Sequence, residues 1–203
     1  ADNLQPPGER RLIHRDPQAR VTQLRMGYEV PSFPTAESTR DPYALLMLAT
    51  ILDGGEGARL AEELVRGSGV AAAAGASYNP MVRLDAQFSL FGVPADGDVD
   101  AVETALRDQI QRLQEEPVST EELERARSQM LADHLFEMDS VFYQAMQLGM
   151  LETTGSGWAR LNSFEENVRD LTAEDLQSAA RQYLRPEMLA VGVMQPVDQE
   201  DEG

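Results

Sequence analysis

The chain has 203 residues, 42% of them hydrophobic, which is enough for one large domain or two small ones with a buried core. Its formal net charge is −18, and because a nucleic-acid-binding protein needs clustered cations, the composition argues against that class. The lack of cysteine excludes disulfides and thiolate metal sites, and no apolar run approaches the ~20 residues that a membrane-spanning helix needs.

The N-terminal part predicts a linker followed by two extended segments. Residues 1–10 are polar and contain Pro-Pro-Gly, which indicates a linker, and RRLIHRD then begins an extended segment. The stretch RVTQLRMGYEVP alternates between apolar and polar residues, as a strand with one buried face does. The residues on that face are Thr22, Leu24, Met26, Tyr28 and Val30.

Two helices and two more strands are predicted next. In DPYALLMLATILDGG, Asp41 is expected to cap a helix that starts with Pro42 and stops at the glycines, and its apolar interior predicts burial. GARLAEELVRG predicts a second helix. GVAAAAGASYNP and RLDAQFSLFGVP predict neighbouring strands, and the tiny residues of the first allow close approach. The apolar face of the second strand consists of Leu84, Ala86, Phe88 and Leu90.

Helices dominate the remainder of the chain. The segment DVDAVETALRDQIQRLQEEP has apolar residues at helical spacing, and Ser119 with Glu122 has the spacing of a capping box. Thr172 with Asp175 marks another helix start. Two further helical segments lie between the helix that starts after Ser119 and the one that starts after Thr172. MLAVGVM predicts an interior strand, and residues 198–203 predict a disordered acidic tail.

This order of elements predicts one α+β domain over residues 11–197, with helices packed on one face of a mostly antiparallel sheet. Of the 35 acidic residues, 24 follow residue 94. The simpler interpretation is that acidic helix faces are solvated, and the alternative is a partner or substrate rich in basic residues.

The pentapeptide HLFEM, residues 134–138, is one residue short of the H-x-x-E-H motif that binds zinc on a helix. Zinc needs at least three protein ligands at a catalytic site, and the chain has only two histidines and no cysteine. We expect an apolar stripe to place Met138 in the core, with His134 half-buried at its edge. The residues of that stripe are Leu131, Leu135, Met138 and Phe142. The sequence therefore predicts no metal site and no catalytic residue in this chain.

Three long stretches carry a resemblance to a known family. They are DPYALLMLATILDGGEGARLAEELVRGSGVAAAAGASYNP, EEPVSTEELERARSQML and LTAEDLQSAARQYLRPEMLAVGVMQP. In this order they resemble the C-terminal, non-zinc domain of the pitrilysin and insulinase family of inverted-motif zinc metallopeptidases. The resemblance covers about residues 9–197 and rests on the combination, since no single motif is decisive.

The resemblance implies a processing-peptidase-like domain that pairs with a zinc-binding domain around a peptide chamber. Some family members place an arginine and a tyrosine from this domain near the active site, but the matching positions here hold Val65 and Ala72. Arg66, Ser77 and Tyr78 are therefore the candidate chamber contacts. Tyr78 is six residues beyond Ala72 and is expected on the same side of the strand. An exposed arginine and a strand-end tyrosine are the simpler interpretation.

The expected function is that of a non-catalytic domain of a bacterial zinc metallopeptidase that helps to bind extended peptide. The AAAAGA strand could leave room for a peptide at the sheet edge, although tight packing explains it equally. The resemblance implies zinc in the N-terminal domain of a longer parent or in a paired family subunit, and a periplasmic location, with the cytoplasm as the alternative. A catalytically inactive scaffold or interaction domain of the same fold is the competing interpretation.

Overall fold

A computed structural model describes residues 8–197 of the chain. Residues 1–7, which form most of the predicted linker, and the predicted acidic tail lie outside this range. The first strand begins at Arg10, one residue before the predicted domain boundary, and Glu9 already pairs with Arg107 at 2.7 Å. No helix in the described range is long and apolar enough to span a bilayer.

Five strands form one sheet in the order β1-β5-β2-β4-β3. Their bounds are β1 Arg10–Asp16, β2 Gln23–Val30, β3 Ala71–Tyr78, β4 Ala86–Pro94 and β5 Leu189–Pro196. β1 and β5 are parallel, whereas all other neighbours are antiparallel. β5 lies inside the sheet, as its apolar sequence predicts, and the expected mostly antiparallel α+β fold is confirmed.

Every segment predicted as a helix is helical. The α-helices are α1 Asp41–Asp53, α2 Val99–Glu115, α3 Thr120–Met138, α4 Val141–Thr154, α5 Ala159–Arg169 and α6 Ala173–Tyr183. GARLAEELVRG forms a π-helix, Leu60–Gly67, which ends with a hydrogen bond from the Ser68 amide to the Glu63 carbonyl. The capping boxes of α3 and α6 are both present as predicted.

The start of α1 differs from the prediction by one residue. Arg40 already has helical dihedral angles and is the N-cap, so the prediction that Asp41 caps the helix is wrong. The Asp41 carboxylate instead accepts a hydrogen bond from the Tyr183 hydroxyl at 2.5 Å. This contact joins α1 to the end of α6.

The core lies between the helices and one face of the sheet. Leu24, Met26 and Phe88 are at most 1% exposed, which agrees with the alternation in their strands. Leu84 is 75% exposed, so its assignment to the buried face is wrong. The pairing of β4 with β2 begins at Ala86, which lies opposite Val30. Leu84 lies before this pairing, so the sheet does not direct its side chain to the buried face.

A nearly buried ion pair connects the π-helix to α3. Arg59, only 8% exposed, donates from Nε and Nη2 to the two carboxylate oxygens of Glu122, at 2.5 and 3.1 Å. Glu122 also accepts hydrogen bonds from the amide and hydroxyl of Ser119, which completes the capping box of α3. Burial by itself raises the pKa of Glu122, but the hydrogen bonds from Arg59 and Ser119 outweigh it and lower the pKa to about 2.

We predict that Glu122→Gln lowers the free energy of unfolding by about 2–3 kcal/mol at pH 7, because Arg59 is left buried without its counterion. The pKa of Glu122 in the folded protein lies below its usual value of 4.5. The contribution of ionised Glu122 to the free energy of unfolding is therefore complete above pH 4.5 and is lost as the pH falls toward 2. Urea unfolding of both proteins between pH 7 and pH 3 measures this difference. Glu121→Gln, on the same helical turn but exposed, should cost well under 1 kcal/mol. Equal costs for the two variants would contradict the assignment.

Candidate functional site

HLFEM forms the last turn of α3. His134 is half-buried, as predicted, and its ring stacks on Phe164 with centroids 4.5 Å apart. Burial lowers the pKa of His134 below its usual value, although the charges of Glu137 and Glu165 act in the opposite direction. The lowered pKa favours the neutral imidazole. The Glu137 carboxylate accepts a hydrogen bond from the side-chain amide of Gln147 on α4.

The expected apolar stripe is wrong in its second half, and its last residue, Phe142, lies on α4 and not on α3. Leu135 is 66% exposed and Phe142 is 73% exposed, while Met138 is only half-buried. The buried residues of α3 are Leu123, Ala126 and Met130, all in its first two-thirds, because the last turns of the helix extend beyond the core. Periodicity predicted an apolar face correctly but not where the packing on that face ends.

The geometry provides no metal centre within residues 8–197, where no three His, Asp or Glu side chains come together as possible ligands. His14 lies in the parallel edge strand β1, opposite Met194 of β5, whereas His134 lies on α3. A single imidazole with one nearby carboxylate is short of the ligand set that zinc requires.

The candidate chamber contacts lie in two places. Ser77 is exposed on β3, which is an edge strand of the sheet. Tyr78 is buried, and its hydroxyl donates to the Pro31 carbonyl at 2.6 Å. Burial raises the pKa of Tyr78 well above its usual value. A β-bulge between Ala71 and Ala73 interrupts the alternation, so Ala72 is exposed where Tyr78 is buried.

Arg66 lies near the end of the π-helix and is half exposed. Its guanidinium donates to the backbone carbonyl of Glu56 and lies 3.6 Å from the Glu62 carboxylate. Ion pairs this exposed contribute little to stability, so the charge is available to a partner at low cost. Contact of Arg66, Ser77 or Tyr78 with a peptide stays a prediction.

A cavity of about 310 Å³ lies between α1, α3, α4, α5 and the turn after β3. Sequence reasoning missed it because its walls come from distant parts of the chain. Four aromatic rings form a continuous series through the wall, in the order His134, Phe164, Tyr43 and Phe33. Asp133, Glu137, Gln147 and Arg160 supply its polar groups.

Tyr43 carries an unusual polar atom in this wall. The residue is 1% exposed, and among the described residues its hydroxyl has no hydrogen-bond partner. A buried hydroxyl without a partner costs about 1–3 kcal/mol, so such groups are rare and require an explanation.

The described residues 8–197 form one α+β sheet domain in which no three possible metal ligands come together. The family model for the peptidase M16 inactive domain matches residues 2–130, well over half of the chain. The chain therefore belongs to the peptidase M16 inactive domain family, which confirms the resemblance to this group of zinc metallopeptidases.

Relatives and solved structures agree with this assignment. The chain is 26% identical over 159 residues to an uncharacterized zinc protease of Rickettsia bellii, covering 78% of this chain and 37% of that protein. It superposes on a protease from Helicobacter pylori with a TM-score of 0.83 at 19% identity, covering 94% of this chain and 45% of the other. An inactive peptidase domain from Bordetella parapertussis gives a TM-score of 0.77 at 24% identity, covering 88% and 94%. The chain thus spans little more than a third of the curated relative.

We predict opposite effects for two buried tyrosines. Tyr78→Phe removes the bond to Pro31 and should lower the free energy of unfolding by about 1–2 kcal/mol. Tyr43→Phe removes a hydroxyl that has no hydrogen-bond partner within residues 8–197, and it should leave the free energy of unfolding unchanged or raise it by up to about 1 kcal/mol. Urea denaturation of the two variants provides a matched comparison. A loss above 1 kcal/mol for Tyr43→Phe would show that the hydroxyl is bonded.

We also predict that the chain binds no stoichiometric zinc. Equilibrium dialysis followed by elemental analysis should give the same trace content for the unmodified chain and for His134→Ala. One zinc per chain that disappears in His134→Ala would overturn this assignment of HLFEM.

Proposed function

We propose that this chain is a non-catalytic domain of a bacterial zinc metallopeptidase that walls the peptide chamber and helps to hold an extended peptide. The zinc would be held by the N-terminal domain of the same parent or by a paired family subunit. Location in the periplasm is part of this proposal and rests on the resemblance to the family alone. The observation that carries the proposal is the position of β3 at an edge of the sheet that residues 8–197 form.

β3 has the properties of a strand that accepts another strand. It is built from alanine, glycine and serine until Tyr78, and Ala72, Ala73 and Ser77 are exposed. An extended peptide adds to such an edge through main-chain hydrogen bonds, and small side chains leave it room. Arg66 lies on the π-helix that packs against this strand.

One amide on this edge is already occupied. Asp53, at the end of α1, accepts a hydrogen bond from the Ala76 amide at 3.0 Å, so Ala76 faces away from β4. Backbone amides alternate in direction along an antiparallel strand, and the Ala74 amide therefore also points away from β4. A bound peptide would pair with Ala74 and would compete with Asp53 for Ala76.

The exposed apolar surface of α3 and α4 supports pairing with another domain or subunit. Large apolar side chains cluster in sequence where α3 ends and α4 begins, and their exposed fractions are well above those of core residues. They are Leu135 at 66%, Phe136 at 78%, Val141 at 81%, Phe142 at 73% and Met146 at 42%. The same surface favours the competing interpretation, an inactive scaffold that binds partners without holding peptide.

Substitution of Ala74 distinguishes peptide binding at β3 from a purely scaffolding role. In the parent protein with its zinc-bearing partner, Ala74→Pro removes the outward amide and leaves the ladder to β4 intact, so kcat/KM for an unstructured peptide should fall about tenfold. Ala74→Val adds bulk but keeps the amide, and it should retain most of the activity. Both are measured on purified, thermally characterised protein.

The scaffold interpretation gives a different result in this experiment. Full peptidase activity of Ala74→Pro at unchanged melting temperature would remove β3 from peptide binding. Absence of a zinc motif from the parent and from every copurifying subunit would remove the peptidase function altogether.

A further inference from the structure

The cavity beside α3 has walls that suit a cationic ligand with an apolar body. The ring of Tyr43 contacts those of Phe33 and Phe164, with centroids 5.1 and 5.8 Å away. Leu46 and Met130 add aliphatic surface. At about 310 Å³ the space is near the lower limit of small-molecule pockets, so it fits one ring with a short chain and excludes a nucleotide.

The charged groups at this cavity favour a positive ligand. Asp133 and Glu137 accept hydrogen bonds from the side-chain amides of Gln129 and Gln147, but within residues 8–197 neither forms an ion pair. The net charge of −18 adds to the attraction of cations.

Arg160 is the only cation among the lining residues, and its guanidinium is already engaged. It donates to the carbonyls of Ser156 and Phe33, at 2.9 and 3.3 Å, and its guanidinium carbon lies 4.9 Å from the centre of the Phe33 ring. The Arg160 guanidinium is therefore held against Phe33, and Asp133 and Glu137 have no ion-pair partner within residues 8–197.

The unpaired hydroxyl of Tyr43 is a second, independent indication of a ligand. It is buried in the wall of this cavity with no partner among the described residues, and a ligand hydroxyl reaching it would remove the desolvation penalty. Neither the fold nor the proposed strand pairing at β3 requires this group.

We propose that the cavity binds a primary amine carried on a ring-sized, otherwise apolar body whose hydroxyl reaches that of Tyr43. The ring packs among Phe33, Tyr43 and Phe164, and the protonated amine lies near Asp133 and Glu137. Aromatic faces and unpaired carboxylates both attract such a cation. A free small amine and the amino-terminal residue of a peptide share this chemistry.

The test measures binding of tyramine to the 203-residue chain by titration calorimetry and ligand-observed NMR. Two analogues differ only in charge: 4-hydroxyphenethyl alcohol is neutral and 4-hydroxyphenylacetate is negative. Tyramine should bind about tenfold more tightly than the alcohol and more tightly still than the carboxylate. The tripeptide Tyr-Gly-Gly identifies the source: binding at least as tight as tyramine indicates a peptide end, and much weaker binding indicates a free amine.

Three variants locate the binding. Leu46→Trp fills the cavity and should abolish tyramine binding, while Asp133→Asn should remove most of the preference for tyramine over the alcohol. Asp139→Asn removes an exposed acid at the end of the same helix but outside the cavity, and it should bind as the unmodified chain does. Equal affinity for all three ring compounds, or undiminished binding by a folded Leu46→Trp protein, would overturn the proposal. An unfolded Leu46→Trp protein leaves Asp133→Asn against Asp139→Asn as the deciding pair.

Discussion

The bidentate contact between Arg59 and Glu122 ties the start of the π-helix to the start of α3. The Glu122 carboxylate accepts hydrogen bonds from the buried Arg59 guanidinium, and it also accepts one from Ser119 in the capping box of α3. An arginine buried this deeply needs a counterion, so the start of α3 cannot move away from the π-helix without leaving that charge uncompensated.

The cavity lies beside the other end of α3, away from the Arg59–Glu122 contact. Starting from Glu122, α3 packs against the core through Leu123, Ala126 and Met130, and its last turns then leave the core. Beyond that point α1 and α3 are bridged by α5, which supplies Phe164 between His134 and Tyr43. The cavity lies where the helix layer is incomplete, and the exposed apolar residues of α4 begin just beyond it.

Local patterns were sufficient for most of the fold. Alternation located β2 and β4, and the two capping boxes located the starts of α3 and α6, because the causes of these features lie within a few residues. Leu84 and Leu135 were misjudged because their burial depends on where a ladder or a helix contact ends, which distant residues decide. For the same reason no local signal revealed the cavity, whose rings are contributed by four separate elements of the chain.

The edge strand β3 and the cavity meet at Tyr78. Its hydroxyl binds the Pro31 carbonyl, its ring stacks on Phe88 at 6.4 Å, and it forms part of the cavity wall directly after the exposed Ser77. α1 makes a second connection, since it supplies Asp53 to the Ala76 amide and Tyr43 to the cavity. A peptide that displaced Asp53 from β3 would therefore act on the helix that carries Tyr43. The two proposed sites therefore draw on the same two elements, α1 and β3.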